Sequence, residues 1–353
     1  MPRVPRLPLV PDPFHRVHVA RDLEELTTVR DEADSSSVGV SQQAVDRIWR
    51  AARELYRTGV HPALQLCLRR NGEVIINRAV GHARGNGPDD PPEEPKVLAT
   101  PGTPFCVFSA SKAITAIVIH VLQERGKLDI QDRVADYIPE YAAHGKESTT
   151  IAHVLAHRAG VPSLPRALLD LDRLADREYV VQEISDAKPF VKPGTLLAYH
   201  AVSGGFILGE IVHRVTGKNI REVLSEEILD PLGFRWGNYG VAPEDVDQVG
   251  LNYVTGPRLL PPLSSLVTRV LSRPLDEVIE ISNDPRFLTA VLPSANVITS
   301  ADELSRFFEL LRAGGELDGV RVMTRDTIRR ALTEQSRLEI DLSLGFRPGS
   351  ATG

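Results

Sequence analysis

Residues 105–126 read FCVFSASKAITAIVIHVLQERG, and this stretch decides the fold. A polar step holding Ser109 and Lys112 opens a run in which Ala113, Ile114, Ala116, Ile117, Val118, Ile119, Val121 and Leu122 are apolar nearly all round. A helix of that kind is buried on every side, and Gly126 offers it a left-handed cap. Ser109 and Lys112 stand three apart, so a helix places them on one face about a turn from each other. A hydroxyl and an amine then lie together at the mouth of a buried helix. A serine hydroxyl becomes a competent nucleophile when a base takes its proton. A lysine serves as that base where desolvation lowers its pKa. The helix N-terminus adds N–H groups and partial positive charge that favour an oxyanion. Taken alone, S-x-x-K is short enough to arise by chance, and a helix cap beside a surface lysine is then the preferred reading. The buried helix behind it and its flanks favour the chemical reading.

The chain has 353 residues, 42% of them hydrophobic and 25% charged. That composition suits a soluble globular protein of one large or two interleaved domains. The formal net charge is -6, with acids and bases mixed along the chain. No basic stripe points to nucleic acid as a partner. Cys67 and Cys106 are the only cysteines and both sit among apolar residues, so they read as buried thiols rather than a disulfide or a metal pair. No apolar run is long enough to span a bilayer. The N-terminal MPRVPRLPLVPDPF carries prolines where a signal peptide needs a helical apolar core, so the expected location is cytoplasmic.

Residues 1–40 are proline-rich, then charged, then serine-rich, and read as an extended arm without a core of its own. Ser41 caps a helix whose stripe is Val45, Ile48, Trp49, Ala52, Leu55 and Tyr56. In residues 63–81, Leu64, Leu66 and Leu68 alternate with Gln65, Cys67 and Arg69, and Asn71 with Gly72 forms a hairpin turn. Residues 85–95, GNGPDDPPEEP, make a surface loop. His153 and His157 are one turn apart, a spacing compatible with a metal pair, but no third ligand follows at a telling distance. The structural reading, with His157 bonded to nearby backbone, is preferred. Tyr199 precedes a helix in which Gly204, Gly205 and Gly209 allow close packing. A second amphipathic helix covers 219–229, whereas residues 236–290 are interrupted by prolines and resist ordering. Ser300 with Glu303 forms a capping box, Asp318 with Gly319 a turn, and 324–335 a last helix.

Four segments recur in a familiar order: FSASKAITAIVIHVLQERGKLDIQDRVADYIPEY, TIAHVLAHRAGVP, PGTLLAYHAVSGGFILGEIV and PSANVITSADELSRFF. Together they resemble the serine β-lactamase-like superfamily, and within it the class C β-lactamase-related esterases called family VIII carboxylesterases. The resemblance runs from about Ser41 onward. It implies a β-lactamase/transpeptidase-like α/β (α+β) fold: an antiparallel sheet flanked by helices, with an inserted all-helical domain. The sheet domain would comprise 41–108 plus 292–353, the helical domain 109–291, and the arm 1–40.

The same resemblance implies roles. Ser109 matches the acylated nucleophile, Lys112 the lysine that helps deprotonate it, and Tyr199 the tyrosine proposed as general base and then leaving-group acid. A lysine ammonium nearby would lower the phenol pKa. The Ser109 N–H would be one arm of the oxyanion hole. The implied substrate is a small-molecule carboxylic ester, with no cofactor and no metal, and a homo-oligomer is compatible with the family. Two departures bear on substrate. Where the β-lactamase branch has Tyr-x-Asn, this chain has Ala201, which argues against β-lactam or D,D-peptidase activity; His200 is a candidate substitute donor or a packing residue. The family's third motif, Lys-Thr-Gly or His-x-Gly, is not found after Phe346. The expectation is a fragment or a shortened homologue. Losing one oxyanion donor costs about a hundred- to a thousand-fold in turnover. An inactive homologue that binds a ligand or protein partner is therefore the third expectation.

Overall fold

The computed structural model describes residues 12, 14–163, 170–174, 176–343 and 351–352. Contacts gather the chain into two compact units. One comprises Met1–Phe105, Glu244–Leu260 and Thr299–Glu309; the other comprises Cys106–Pro243, Pro261–Ile298 and Leu310–Gly353.

The first unit is built on an antiparallel sheet. It contains β1 (Thr27–Val29), then helix α1 (Gln42–Tyr56), β2 (Ala63–Arg70), β3 (Glu73–Arg84) and β4 (Val97–Leu98). The strand order is β1-β3-β2, with β4 also pairing β3. Asn71 and Gly72 both take positive φ, 52° and 89°, as a two-residue hairpin turn requires. Ser41 caps α1 by accepting a hydrogen bond from Ala44 N. Alternation along β2 puts Leu64 and Leu66 against the cluster of Trp49, Tyr56 and Val80. On the other parity, Gln65 accepts from Ala301 N, Cys67 meets Ser305, and Arg69 pairs with Asp302 at 2.6 Å. Cys67 and Cys106 are both free thiols.

Within the expected arm 1–40, residues 14–40 are not coreless as their composition led one to expect. Leu23 is fully buried with Trp49 and Tyr56, β1 pairs with β3, and Glu32 receives two 2.6 Å hydrogen bonds from Arg78. Prolines and charges hide a short edge strand, and the apolar contact comes from the residues before it: Leu23 and Leu26 pack on the core, whereas Val29 in the strand is exposed. The contact boundaries also differ from the expected 41–108 plus 292–353 and 109–291. Residues 244–260 join the sheet unit because Arg84 donates to Val246 O and Val249 O, and Leu251 N donates to Ala83 O.

The second unit is mainly helical. Its main helices are α2 (Ser111–Glu124), α3 (Ile151–Leu155), α4 (Arg177–Asp186), α5 (Ser203–Thr216) and α6 (Leu263–Leu271). A short pair, β5 (Asn238–Tyr239) with β6 (Val297–Thr299), runs antiparallel. As its all-round apolar sequence requires, α2 is buried from Ile114 to Leu122. Gly126 takes the left-handed conformation behind it, φ 67°. The 219–229 segment is capped by Asn219, helical over Ile220–Leu224, and widens to a π turn over Ser225–Leu229. The last helix is shorter than 324–335: Thr324 caps Arg325–Ala331, and Glu334–Ser336 is extended. In the stretch the sequence left unordered lie α6 and a second helix, Leu275–Ser282. No helix among the described residues is long and apolar enough to cross a membrane.

Candidate active site

The helical unit alone brings together Ser109, Lys112 and Tyr199. Ser109 does not sit in α2 itself. It lies in a 3₁₀ turn, Phe108–Ala110, that leads into the helix. Phe108 takes φ 44°, a left-handed conformation costly for a bulky side chain, and the turn is over-determined by its neighbours. Ser111 Oγ donates to Phe108 O at 2.5 Å and accepts from Val297 N at 2.9 Å, while Val107 N donates to Val297 O. One turn on, Thr115 donates to Pro293 O at 2.6 Å, which leaves its oxygen to accept from Tyr239 Oη at 2.7 Å. The start of α2 is thus stapled to residues 293–297, and Ser109 is held outward and exposed.

Ser109 Oγ accepts a 2.7 Å hydrogen bond from Tyr199 Oη and a longer one, 3.3 Å, from Lys112 Nζ. Lys112 Nζ also donates to Ser294 O at 2.9 Å and lies 5.1 Å from the centre of the Tyr199 ring. Burial brings the Lys112 pKa down to about 7, so near neutrality a large share of this amine is uncharged. The sequence expectation for Tyr199 is reversed. Burial raises its pKa, outweighing the lowering from the Ser109 hydrogen bond, and Asp341 adds a lesser upward push. A lysine that readily loses its own charge does little to stabilise a phenolate. The tyrosine is accordingly a neutral O–H donor, and the lysine is the group able to accept a proton.

Tyr199 stands on a segment outside helix and strand, fixed from both sides. Its N–H donates to Asp341 at 3.2 Å and its carbonyl accepts from Ser343 at 3.3 Å. His157 accepts the His200 N–H on Nδ1 at 3.1 Å and the Ala198 N–H on its carbonyl, so it grips both neighbours of Tyr199. Its ring lies 4.9 Å from the tyrosine ring. Burial drives the His157 pKa down to about 3, leaving a neutral imidazole. The His200 side chain is fully buried; it donates from Nδ1 to Ala198 O and accepts Val161 N on Nε2. Both ring nitrogens are thereby spent on backbone, so His200 packs and does not replace the missing asparagine. His153 accepts from Thr150 N as a helix cap. No group of three or more His, Cys, Asp or Glu side chains among the described residues could hold a metal ion.

Ser294, in the segment PSANVITSADELSRFF, is a site residue that the sequence alone does not single out. Its carbonyl receives Lys112, and its hydroxyl donates to Val202 O and accepts from Gly205 N. A Cβ on Gly205 would stand 2.3 Å from Ser294 Oγ, so the glycine-permitted close approach is between α5 and the support of the lysine. The signal available was Gly205, read as packing without a partner. Residues 344–350, which begin with LGF, lie outside the described residues.

A family model described as Beta-lactamase matches residues 47–353. The chain is 32% identical over 237 residues to Esterase/beta-lactamase LipL of Mycobacterium tuberculosis, covering 63% of this chain and 54% of that protein. It therefore spans about half the length of that relative. Among solved structures, a family VIII carboxylesterase superposes with TM-score 0.72 at 27% identity, covering 86% of this chain and 78% of that one. A penicillin-binding protein homolog from Caulobacter crescentus superposes with TM-score 0.71 at 25% identity, over 88% and 80% of the two chains. The α/β fold is the β-lactamase/transpeptidase-like one expected from the motif order.

Proposed function

The chain belongs to the beta-lactamase family, and on that footing we propose that it is a serine hydrolase that cleaves carboxylic esters through an acyl-enzyme on Ser109. The observation that carries this reading is the convergence of Tyr199 Oη and Lys112 Nζ on the exposed Ser109 Oγ, at 2.7 and 3.3 Å. As Ser109 Oγ bonds to the ester carbonyl carbon, its proton passes to the neutral Lys112 amine. The Ser109 N–H, near the start of α2, faces the developing oxyanion. Collapse of the tetrahedral intermediate breaks the carbon–alkoxy bond, and Tyr199 gives its proton to the departing alkoxide. The Lys112 ammonium restores that proton to the phenolate. Water then attacks the acyl carbon, gives a proton to the same pair, and Ser109 leaves as the hydroxyl. The net reaction is ester plus water to acid plus alcohol.

Ser109→Ala should abolish hydrolysis of p-nitrophenyl butyrate and covalent labelling by a fluorophosphonate, read as an adduct in the intact mass. Labelling that persists in Ser109→Ala rejects Ser109 as nucleophile. No adduct on folded wild-type protein would favour a non-catalytic, ligand-binding homologue.

β-Lactam or D,D-peptide hydrolysis is a second reading, supported by the names of LipL and of the penicillin-binding protein homolog. Ala201 weighs against it, because the side chain there offers no amide to hold the lysine or a substrate amide. Turnover of a chromogenic cephalosporin at a rate matching the ester would reverse the preference.

A further inference from the structure

Beside the Tyr199 ring, within the helical unit, opens a cavity of about 250 Å³. Val161, Pro162, Phe190, Val270 and Leu342 supply its apolar walls. Two cations, Lys188 and Arg269, complete it. Both are exposed, and neither has an ion pair or side-chain hydrogen bond among the described residues. Their setting contrasts with that of the arginines matched to a carboxylate, as Arg177 is to Glu210 and Arg286 is to Asp172. The nearest carboxylate in sequence to the cavity wall, Asp341, is 3% exposed and accepts the N–H groups of Tyr199 and Ser343. Among the described residues it makes no ion pair with either cation.

Of the three catalytic candidates only Tyr199 lines this cavity. In the reaction proposed above, Tyr199 is the group that protonates the departing oxygen. The space beyond it is therefore where the alcohol portion of an ester would lie. We propose that this cavity selects esters whose alcohol portion carries a carboxylate on an apolar spacer, with Lys188 and Arg269 holding the anion. The inference rests on the ester-hydrolase reading and deepens it. A flat apolar spacer fits walls built from Phe190, Val270 and Leu342, and two cations give an anion both attraction and orientation.

The test compares 4-carboxyphenyl butyrate with its neutral isostere 4-carbamoylphenyl butyrate, each rate divided by that of alkaline hydrolysis. The ratio of kcat/KM, carboxylate over amide, should be about tenfold at low salt and shrink as salt is raised to about 1 M, where screening is nearly complete. In Lys188→Glu/Arg269→Glu the ratio should fall at least about fivefold, because attraction becomes repulsion. Both side chains are exposed and make no ion pair among the described residues, so the variant should keep its thermal midpoint. A ratio near one, or one unmoved by the double variant, overturns the proposal while leaving the ester reading intact. Calorimetric binding of 4-carboxyphenyl butyrate to Ser109→Ala gives a readout free of chemistry. Binding that is lost in the charge-reversed form, without turnover by wild-type protein, would keep the cavity's role and overturn the ester reading. No binding and no turnover would overturn both.

Discussion

Lys112 and Lys146 lie in the same helical unit, and burial treats them alike. The pKa of Lys112 is lowered to about 7 and that of Lys146 to about 8. Their neighbours treat them differently. Lys146 is fully buried and gives its three protons to three carbonyls, Ala143 O at 3.0 Å, Ser185 O at 2.7 Å and Ala187 O at 2.7 Å. Two of those carbonyls sit at the C-terminal end of α4, where unpaired oxygens and the helix dipole both favour a cation. Lys112 gives one proton to a carbonyl and another toward a hydroxyl that is exposed to solvent. A depressed lysine pKa thus does not by itself mark a catalytic group. The difference is what the nitrogen can do once its charge is gone. A deprotonated Lys146 faces three oxygens that cannot donate to it, whereas a deprotonated Lys112 faces a hydroxyl that can.

The sharpest way to break this comparison is to replace each lysine by methionine. Lys112→Met should lower kcat/KM for p-nitrophenyl butyrate by about a thousand-fold, the usual range for loss of a positioned general base, with the urea midpoint little changed. Lys146→Met should do the reverse. It strands three buried carbonyls, so stability should drop by about 3 kcal/mol, while the protein that remains folded should turn over within a few-fold of wild type. Equal losses of turnover in the two variants, at matched folded fractions, would show that Lys146 is coupled to the chemistry and that the contrast drawn here is false.

The pH profile sharpens the same contrast. The proposed base is the neutral amine, so activity should rise with pH, not fall. With the Lys112 pKa lowered to about 7, kcat/KM should decline about tenfold per unit below that value and level off above it. Tyr199, pushed upward by burial, stays protonated as a donor throughout this window. A rate constant through pH 7, or one that falls as pH rises through it, is the result that would remove Lys112 as base.

How much of this was legible in the sequence differs from residue to residue. Ser109 and Lys112 were readable because the polar step interrupts an apolar helix, and Tyr199 because its segment recurs in fixed order with theirs. Ser294 was not, since its contribution to Lys112 is a backbone carbonyl that any residue type possesses. Lys146 lies in a polar stretch, GKES, that reads as solvated surface; only the fold shows three carbonyls closing on it. The edge strand Thr27–Val29 is three residues long, too short to display alternation, and it hid within a proline-rich and charged segment. The hairpin at Asn71 and Gly72 was legible because its turn residues and the alternation of β2 agree.

Gly205→Ala probes the support of Lys112 without touching the side chains of the site. The added Cβ would stand 2.3 Å from Ser294 Oγ and 2.6 Å from Ser294 N, so this segment must move. The Ser294 carbonyl moves with it, and Lys112 loses part of its anchor. An overpacked site of this kind costs about 1–3 kcal/mol in stability, and turnover should fall about tenfold at unchanged KM, a misplacement effect. A loss of stability with unchanged kcat would show that Ser294 holds the helix and not the lysine.

The smallest effect is expected at His157, and it separates two groups that could both titrate. His157 has φ 57°, accepts the His200 N–H and packs its ring 4.9 Å from that of Tyr199. Asparagine tolerates that backbone conformation and carries an acceptor of similar reach. His157→Asn should therefore keep Tyr199 in place and lower kcat/KM only a few-fold. Because burial holds the His157 pKa at about 3, the imidazole is neutral across the whole working range and contributes no step near pH 7. The midpoint of the pH profile should then be the same in His157→Asn as in wild type. A midpoint that disappears in this variant would transfer the titration from the amine to the imidazole, and with it the role that distinguishes Lys112 from Lys146.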